Sequence, residues 1–298
     1  MANLSKESIY VVSDFEALST TWFVEVFESL TSVSYYEIQE VLVDTIRSFE
    51  KKYSRFDKSS LLSELNSKRI VNYDYHLAMM LTKGKEMSVL TKGVFDLFIK
   101  ERLEDKGYGV KGNHVDNYSD SESDFVITEE VIQLKGKKSI DLGGIGKGYL
   151  LDVLAEILKK RFNVHEFLIN GGGDMYGTHQ GGEAIVVYIQ NPEDRNVLIG
   201  SFGIKNQSLC ASSSYVRSWI HDDKVKNHFI TKDQREIWAA SFVVGDNATL
   251  TDMLATVFCI NSHDKQVCES LASQTSVLYR AIQKDEASFG NLQFTPVV

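Results

Sequence analysis

Apolar residues recur along this chain at two spacings, and each spacing predicts a different element. Over residues 37–53, Ile38, Val41, Leu42, Ile46 and Phe49 return every three or four positions, which places them on one face of a helix. The same spacing predicts helices over residues 75–91, 146–161, 248–260 and 265–273; the helix over 146–161 buries Leu150, Leu151, Leu154, Ile157 and Leu158. Residues 20–29, rich in aromatic and β-branched side chains, predict a strand paired with residues 8–13. Short apolar runs bounded by turn residues predict strands at 124–127, 131–134, 139–142, 166–170, 184–190, 197–204, 228–231, 237–244 and 276–282. Strands outnumber helices and lie in adjacent runs, so the expected fold class is α+β, mixed sheets with packed helices, not a regular βαβ winding. The most polar stretch, residues 111–124, predicts an exposed loop between two structured halves.

Composition narrows the function classes. The 298 residues carry 41 acidic against 32 basic side chains, a net charge of -9, and no dense Lys/Arg patch, so no nucleic-acid partner is expected. No apolar stretch approaches the ~18 residues of a transmembrane helix, so no membrane span is expected. Cys210, Cys259 and Cys268 lack C-x-x-C spacing and are expected as buried, reduced thiols. Residues 1–10, MANLSKESIY, have neither a secretory leader pattern nor a lipobox cysteine. The sequence as given therefore predicts a cytoplasmic protein, or an exported one if a leader was removed. An acidic chain that binds an anion must do so locally, with a helix N-terminus, a glycine-lined turn or a bound cation.

Three segments meet that requirement. Residues 139–151, SIDLGGIGKGYLL, read as a strand end, a glycine turn and a helix start beside Lys147, where a phosphate can approach bare backbone. The P-loop pattern fails because Gly148, not Ser or Thr, follows Lys147, and G-x-G-x-x-G fails because Leu151 stands at its third glycine. A tight turn needing positive φ explains the same glycines equally well. Residues 170–177, NGGGDMYG, are a second glycine run at a strand end, matched as well by a hairpin turn or bulge. In the third segment, behind an N-cap at Asp246 or Asn247, Asp252 and Thr256 share a face of an apolar helix. They read either as hard-cation ligands or as a dipole-complementing Asp and a back-bonding Thr.

Together these segments resemble the FAD:protein FMN transferase family, the ApbE-like proteins. The family's S-R-F-D-x-x-S-x-L-S-x-L-N segment is similar to residues 54–66, SRFDKSSLLSELN, and its G-x-F-D to residues 93–96. D-L-G-G-I-A-K-G-Y resembles residues 141–149 with Gly146 in place of alanine; N-x-G-G-D resembles residues 170–174, and A-D-A-L-A-T resembles residues 251–256, TDMLAT. The resemblance implies one ApbE-like domain over residues 1–298, with an FAD cleft between two sub-lobes. It implies FAD contacts at Phe56, Val94, Phe95, Asp96, Asp141, Lys147 and Ile237, and a magnesium ion at Gly144, Asp252 and Thr256 with Ala255 beside them. The activity implied is magnesium-dependent transfer of FMN from FAD to a Ser or Thr hydroxyl of a partner flavoprotein carrying a D-G-x-S/T-G-A-S/T-like motif, with release of AMP. An FAD pyrophosphatase and a non-catalytic flavin-binding protein are the alternatives.

The family pattern is broken in two places. Residues 210–215, CASSSY, carry Ser213 where glycine is usual, and after His228-Phe229-Ile230 the family's D-P-x-T-G is lost to Thr231, Lys232, Asp233, Gln234 and Arg235. His228 matches the family's histidine and is read as a catalytic base beside the cation ligand Asp252, or else as a surface strand histidine.

Overall fold

The structure, a computed structural model, describes residues 9–109, 124–179, 181, 184–231, 233, 236–284 and 288–297. Along the chain run β1 (Ile9–Ala17), β2 (Thr20–Val26), α1 (Ser32–Tyr53), α2 (Leu61–Lys68), β3 (Ile70–Asn72), α3 (Tyr75–Leu90) and α4 (Lys100–Asp105). Next come β4 (Asp124–Ile127), β5 (Val131–Lys135) and α5 (Gly146–Glu156), whose end rewinds as a π-helical turn over Ile157–Arg161. β6 (Phe167–Gly171), β7 (Asp174–Thr178), β8 (Ile185–Gln190), β9 (Leu198–Ile204), β10 (Gln207–Ser213), β11 (Ser218–His221) and β12 (Lys224–Asn227) follow. The chain closes with β13 (Ala239–Gly245), α6 (Ala248–Ile260), α7 (Lys265–Thr275), β14 (Leu278–Gln283) and β15 (Ser288–Gly290).

An eight-stranded antiparallel sheet, ordered β1-β2-β6-β7-β10-β13-β14-β15, is the frame; β3-β5-β4, β8-β9 and β11-β12 form smaller sheets. This is the α+β class that the strand runs predict. The frame is covered on both faces, so its strands alternate between two cores. Cys210 and Val243 point into the main core with Ile46, Leu150 and Leu254 of the helices, while Leu209, Phe242 and Val244 meet Val187, Ile189 and Ile204 of the β8-β9 hairpin. Burial on both faces is why β13, AASFVVG, has no polar alternation. No helix among the described residues is long and apolar enough to cross a membrane.

Two expected strands are not strands. Residues 139–142 join no sheet; Asp141 N donates to Leu97 O at 2.9 Å, and the Asn66 amide takes the place of a second strand, its Oδ1 accepting from Ile140 N at 2.7 Å and its Nδ2 donating to Ile140 O at 2.9 Å. Residues 228–231 are likewise held by side chains, Asn227 Oδ1 accepting from Phe229 N and Lys106 Nζ donating to Phe229 O. Helix α1 begins at Ser32 rather than residue 37 because the Thr31 hydroxyl accepts from Ser34 N, an N-cap that precedes the apolar periodicity. The polar stretch expected as a loop lies outside the described residues, apart from Asp124, which opens β4.

The contact that positions the site is the crossing of α5 and α6. Asn247 caps α6 by accepting from Leu250 N, and Asp152 of α5 accepts from Ala248 N at 2.9 Å and Thr249 N at 2.8 Å. A carboxylate of one helix thus satisfies the orphan amides of the other and fixes their relative register.

Candidate active site

A cavity of about 940 Å³, at the upper end of the ~300–1,000 Å³ typical of ligand sites, opens between the glycine turn, the α5–α6 crossing and the segment ahead of β11. Its wall includes ten of the sequence-predicted residues: Phe56, Val94, Phe95, Asp96, Asp141, Gly144, Lys147, His228, Asp252 and Thr256. Ile237 and Ala255 do not reach it. Ile237 packs in a small apolar cluster with Phe229, and Ala255 is wholly buried, its carbonyl taken by the Ser241 hydroxyl.

At one end lie aromatic rings and a guanidinium. Arg55 stacks 4.2 Å over the Phe56 ring and 5.0 Å over Tyr108, which stacks in turn on Trp219 at 4.9 Å. Asp141 holds the guanidinium through Nε at 2.5 Å, and its other oxygen accepts from Gly143 N at 2.7 Å. Asp141 therefore ties the stack to the glycine turn. Phe56 is 53% exposed, an aromatic surface left for a planar ligand, whereas Phe95 is buried under Gly144. Asp96 spends one oxygen on Phe98 N, closing a local turn.

At the other end lies a buried charge cluster. Asp252 Oδ2 accepts from Gly148 N at 2.8 Å, so the carboxylate complements the N-terminus of α5 and not that of its own helix. Lys147 pairs with Asp174 and stands 4.0 Å from Asp252 Oδ1. Asp174, from the second glycine run, also accepts from Ala211 N. Burial disfavours the lysine charge, but Asp174 and then Asp252 outweigh it and hold the ammonium above its ordinary range. Burial, with Asp174 adding and Lys147 opposing, pushes the Asp252 carboxyl up to about 6. Within ion-pair distance among the described residues, one ammonium faces two carboxylates, so the contacts around Lys147 carry an excess negative charge.

That excess fits a hard cation. Among the described residues Asp252 Oδ1 has no donor at hydrogen-bond distance. Thr256 Oγ1 does not back-bond its helix; its neighbours are Ser212 Oγ at 3.4 Å and the Gly144 backbone, whose ideal Cβ would lie 3.6 Å away. Carboxylate, hydroxyl and backbone oxygens are the donor types that magnesium takes. No group of three or more His, Cys, Asp or Glu among the described residues offers a competing metal centre.

Close approach, and not positive φ, accounts for Gly143, Gly144 and Gly148 in the glycine turn. Gly143, Gly144, Gly146 and Gly148 all have ordinary φ; in the two glycine runs the left-handed ones are Gly172 and Gly173, which turn β6 into β7. His228 is not a strand histidine. It sits partly covered, Nδ1 3.5 Å from the Arg217 carbonyl, and burial followed by the Arg217 charge lowers its pKa to about 4, so the ring is neutral near pH 7. The site residues that sequence reasoning missed are Asp174, Arg55, Tyr108 and Arg217. The first two lie inside the quoted segments 170–174 and 54–66, where they were part of a pattern without a role.

A model of the ApbE family matches residues 18–278. The chain belongs to the ApbE family. The FAD:protein FMN transferase of Klebsiella pneumoniae (strain 342) is 30% identical over 159 residues, covering 49% of this chain and 49% of that protein, so the match spans about half the length of the curated relative. Among solved structures, the ApbE protein of Thermotoga maritima superposes with a TM-score of 0.82 at 21% identity, covering 96% of this chain and 97% of that one. The flavin transferase ApbE of Vibrio cholerae gives 0.77 at 16% identity over 96% and 97% of the two chains. The apo flavinyl transferase ApbE of Pseudomonas stutzeri gives 0.75 at 15% over 96% and 94%. At these identities the superpositions show that the fold is that of ApbE proteins.

Proposed function

We propose that this ApbE-family protein transfers the FMN moiety of FAD to a Ser or Thr hydroxyl of a partner flavoprotein, in a magnesium-dependent reaction that releases AMP. The observation that carries the reading is the two-ended cavity: an exposed aromatic and guanidinium at one end suit a flavin or adenine ring, and an oxygen-rich, charge-excess cluster at the other suits a cation-bound diphosphate. Gly144, Asp252 and Thr256 would hold magnesium, which when bound offsets the charge of the pyrophosphate that the carboxylates would otherwise repel.

The chain's own residues account for the remaining chemistry. Phe56 and the Arg55 guanidinium orient the ring system, and Asp141 keeps the glycine turn in register with them. The acceptor oxygen forms a bond to the FMN phosphorus as the phosphorus–oxygen bond to the AMP moiety breaks. AMP leaves with that oxygen, and the acceptor proton passes to His228. A neutral His228 is suited to this, because Nδ1–H directed at the Arg217 carbonyl leaves Nε2 with its lone pair.

Incubation with FAD, magnesium and an acceptor domain carrying a D-G-x-S/T-G-A-S/T-like segment is expected to give AMP and protein-bound flavin in equal amounts. AMP with free FMN, whether or not acceptor is present, would identify a pyrophosphatase. No AMP under any condition would leave a flavin-binding protein. His228→Ala is expected to lower transfer about 10²-fold while depressing FAD hydrolysis much less, since a positioned base contributes on the order of 10²–10⁴. The His228 pKa, lowered to about 4, gives the sign of the pH effect: proton uptake that removes the base comes only as pH falls through about 4. Transfer assayed from pH 8 to 5 should therefore show no inflection from this ring. A loss centred near pH 6.5 that disappears in the His228→Ala protein would assign the base a solvent-like environment and remove this account.

A further inference from the structure

Among the described residues four cations line the cavity, and they differ in whether their charge is already matched. Arg55 is paired with Asp141 at 2.5 Å and approaches Glu104 at 3.8 Å; Lys147 lies between Asp174 and Asp252. Arg195 is exposed on the connection between β8 and β9. Arg217 is partly covered, lines the cavity, and among the described residues no carboxylate lies within ion-pair distance of its guanidinium. It shares that cavity wall with Lys147, His228 and Asp252, its backbone carbonyl lies 3.5 Å from His228 Nδ1, and its charge is felt at all three groups.

The backbone around Arg217 is anchored on both sides. Ser214 exchanges two hydrogen bonds with Ala239 of β13, its hydroxyl donating to Ala239 O at 3.0 Å and accepting from Ala239 N at 2.9 Å. Two residues beyond Arg217, Trp219 donates from Nε1 to Lys106 O at 2.8 Å and stacks on Tyr108. Among the described residues the side chain between these anchors meets no carboxylate, while its backbone is held, so only its own rotamers remain to be ordered when an anion arrives. The Arg217 carbonyl is also the group that His228 Nδ1 faces, so one short arm carries the guanidinium and the base together.

We propose that Arg217 is the residue that reads the diphosphate of the flavin dinucleotide, its guanidinium forking onto phosphate oxygens at the point where His228 faces the acceptor. The inference rests on the FMN-transfer reading and adds to it the source of the positive charge on the protein side. Lys147 cannot supply that charge alone, because its ammonium is already outnumbered by two carboxylates. A planar guanidinium suits bidentate contact with phosphate, which an ammonium cannot reproduce.

Calorimetry on the wild-type, Arg217→Gln and Arg217→Lys proteins, each with FAD and with riboflavin in magnesium, tests the assignment. Arg217→Gln should bind FAD about 10- to 100-fold more weakly, as expected for a lost charge-assisted contact, and bind riboflavin as the wild type does. Arg217→Lys should fall between the two. Unchanged riboflavin binding serves as the check that the pocket is intact. Equal FAD affinity in wild type and Arg217→Gln would overturn the assignment while leaving the transfer reading standing. Parallel loss of FAD and riboflavin would overturn it too, by showing that Arg217 shapes the pocket without reading phosphate. A wild-type chain that binds FAD no better than riboflavin would remove the transfer reading itself, and the inference with it.

Discussion

Replacing Asp252 with alanine is expected to reduce magnesium-dependent AMP release from FAD by about 10³-fold or more, because a lost cation ligand removes several kcal/mol of transition-state charge stabilisation. The fold should survive. The only hydrogen bond that the carboxylate accepts among the described residues is from Gly148 N, and its burial already works against its charge. Removing it exposes one amide at the start of α5 and relieves one of the two carboxylates that crowd Lys147. Thr256→Val, nearly constant in shape, should give the same kind of defect at smaller size. Thermal unfolding with and without magnesium separates the ligand role from packing: the wild type should be stabilised by the cation and Asp252→Ala should not. If both variants release AMP at the parent rate and keep the magnesium shift, the pair on α6 is structural and the cation is held elsewhere.

What the sequence carried of this arrangement follows from the range of the interactions involved. Helix α6 is legible to the residue because its cap, its apolar run and its end all lie within residues 247–260. The Asp252–Thr256 pair is legible for the same reason, being one turn apart on a single face. Segments held by distant side chains are not. Residues 139–142 look like a strand, yet their partner is the amide of Asn66, 74 positions away, and no local periodicity encodes that. The glycines of residues 143–148 look like turn glycines, but of the two runs the left-handed turn is at Gly172 and Gly173, while Gly143 answers to Asp141, Gly144 to Phe95 and Gly148 to the neighbouring helix α6. Lys147 reads as a free cation at a helix start until Asp174, 27 residues on, is seen to hold it. Arg217 has no spacing, motif or patch to mark it; its significance is that among the described residues no carboxylate pairs with it, which appears only in three dimensions.

Gly148 is expected to be the least tolerant position of the glycine turn, and Gly146, two residues before it, among the most tolerant. A Cβ built on Gly148 would lie 2.3 Å from Ala248 O, 2.9 Å from Ala248 C and 2.6 Å from Asp252 Cβ. Two of those atoms are backbone, so relief requires α5 and α6 to separate, against the Asp152 carboxylate that joins Ala248 N and Thr249 N to α5. Overpacking of this kind costs at least ~1–3 kcal/mol, and more where backbone must move. Gly148→Ala should therefore lower the thermal midpoint by roughly 2–5 °C or more, at about 1.6 °C per kcal/mol for a chain of this length, and should lower AMP release as well, because the displaced helix carries Asp252 and Thr256. A Cβ on Gly146 meets only Phe49 Cε1, at 3.9 Å, an ordinary contact, and its φ suits any residue. Gly146→Ala should leave activity intact and raise stability by about 0.5 kcal/mol, since alanine loses less backbone freedom in a helix. Midpoints that shift equally in the two variants would show that helix approach at Gly148 does not set the position of the cation ligands, and that the turn's glycines serve a purpose other than bringing α6 against α5.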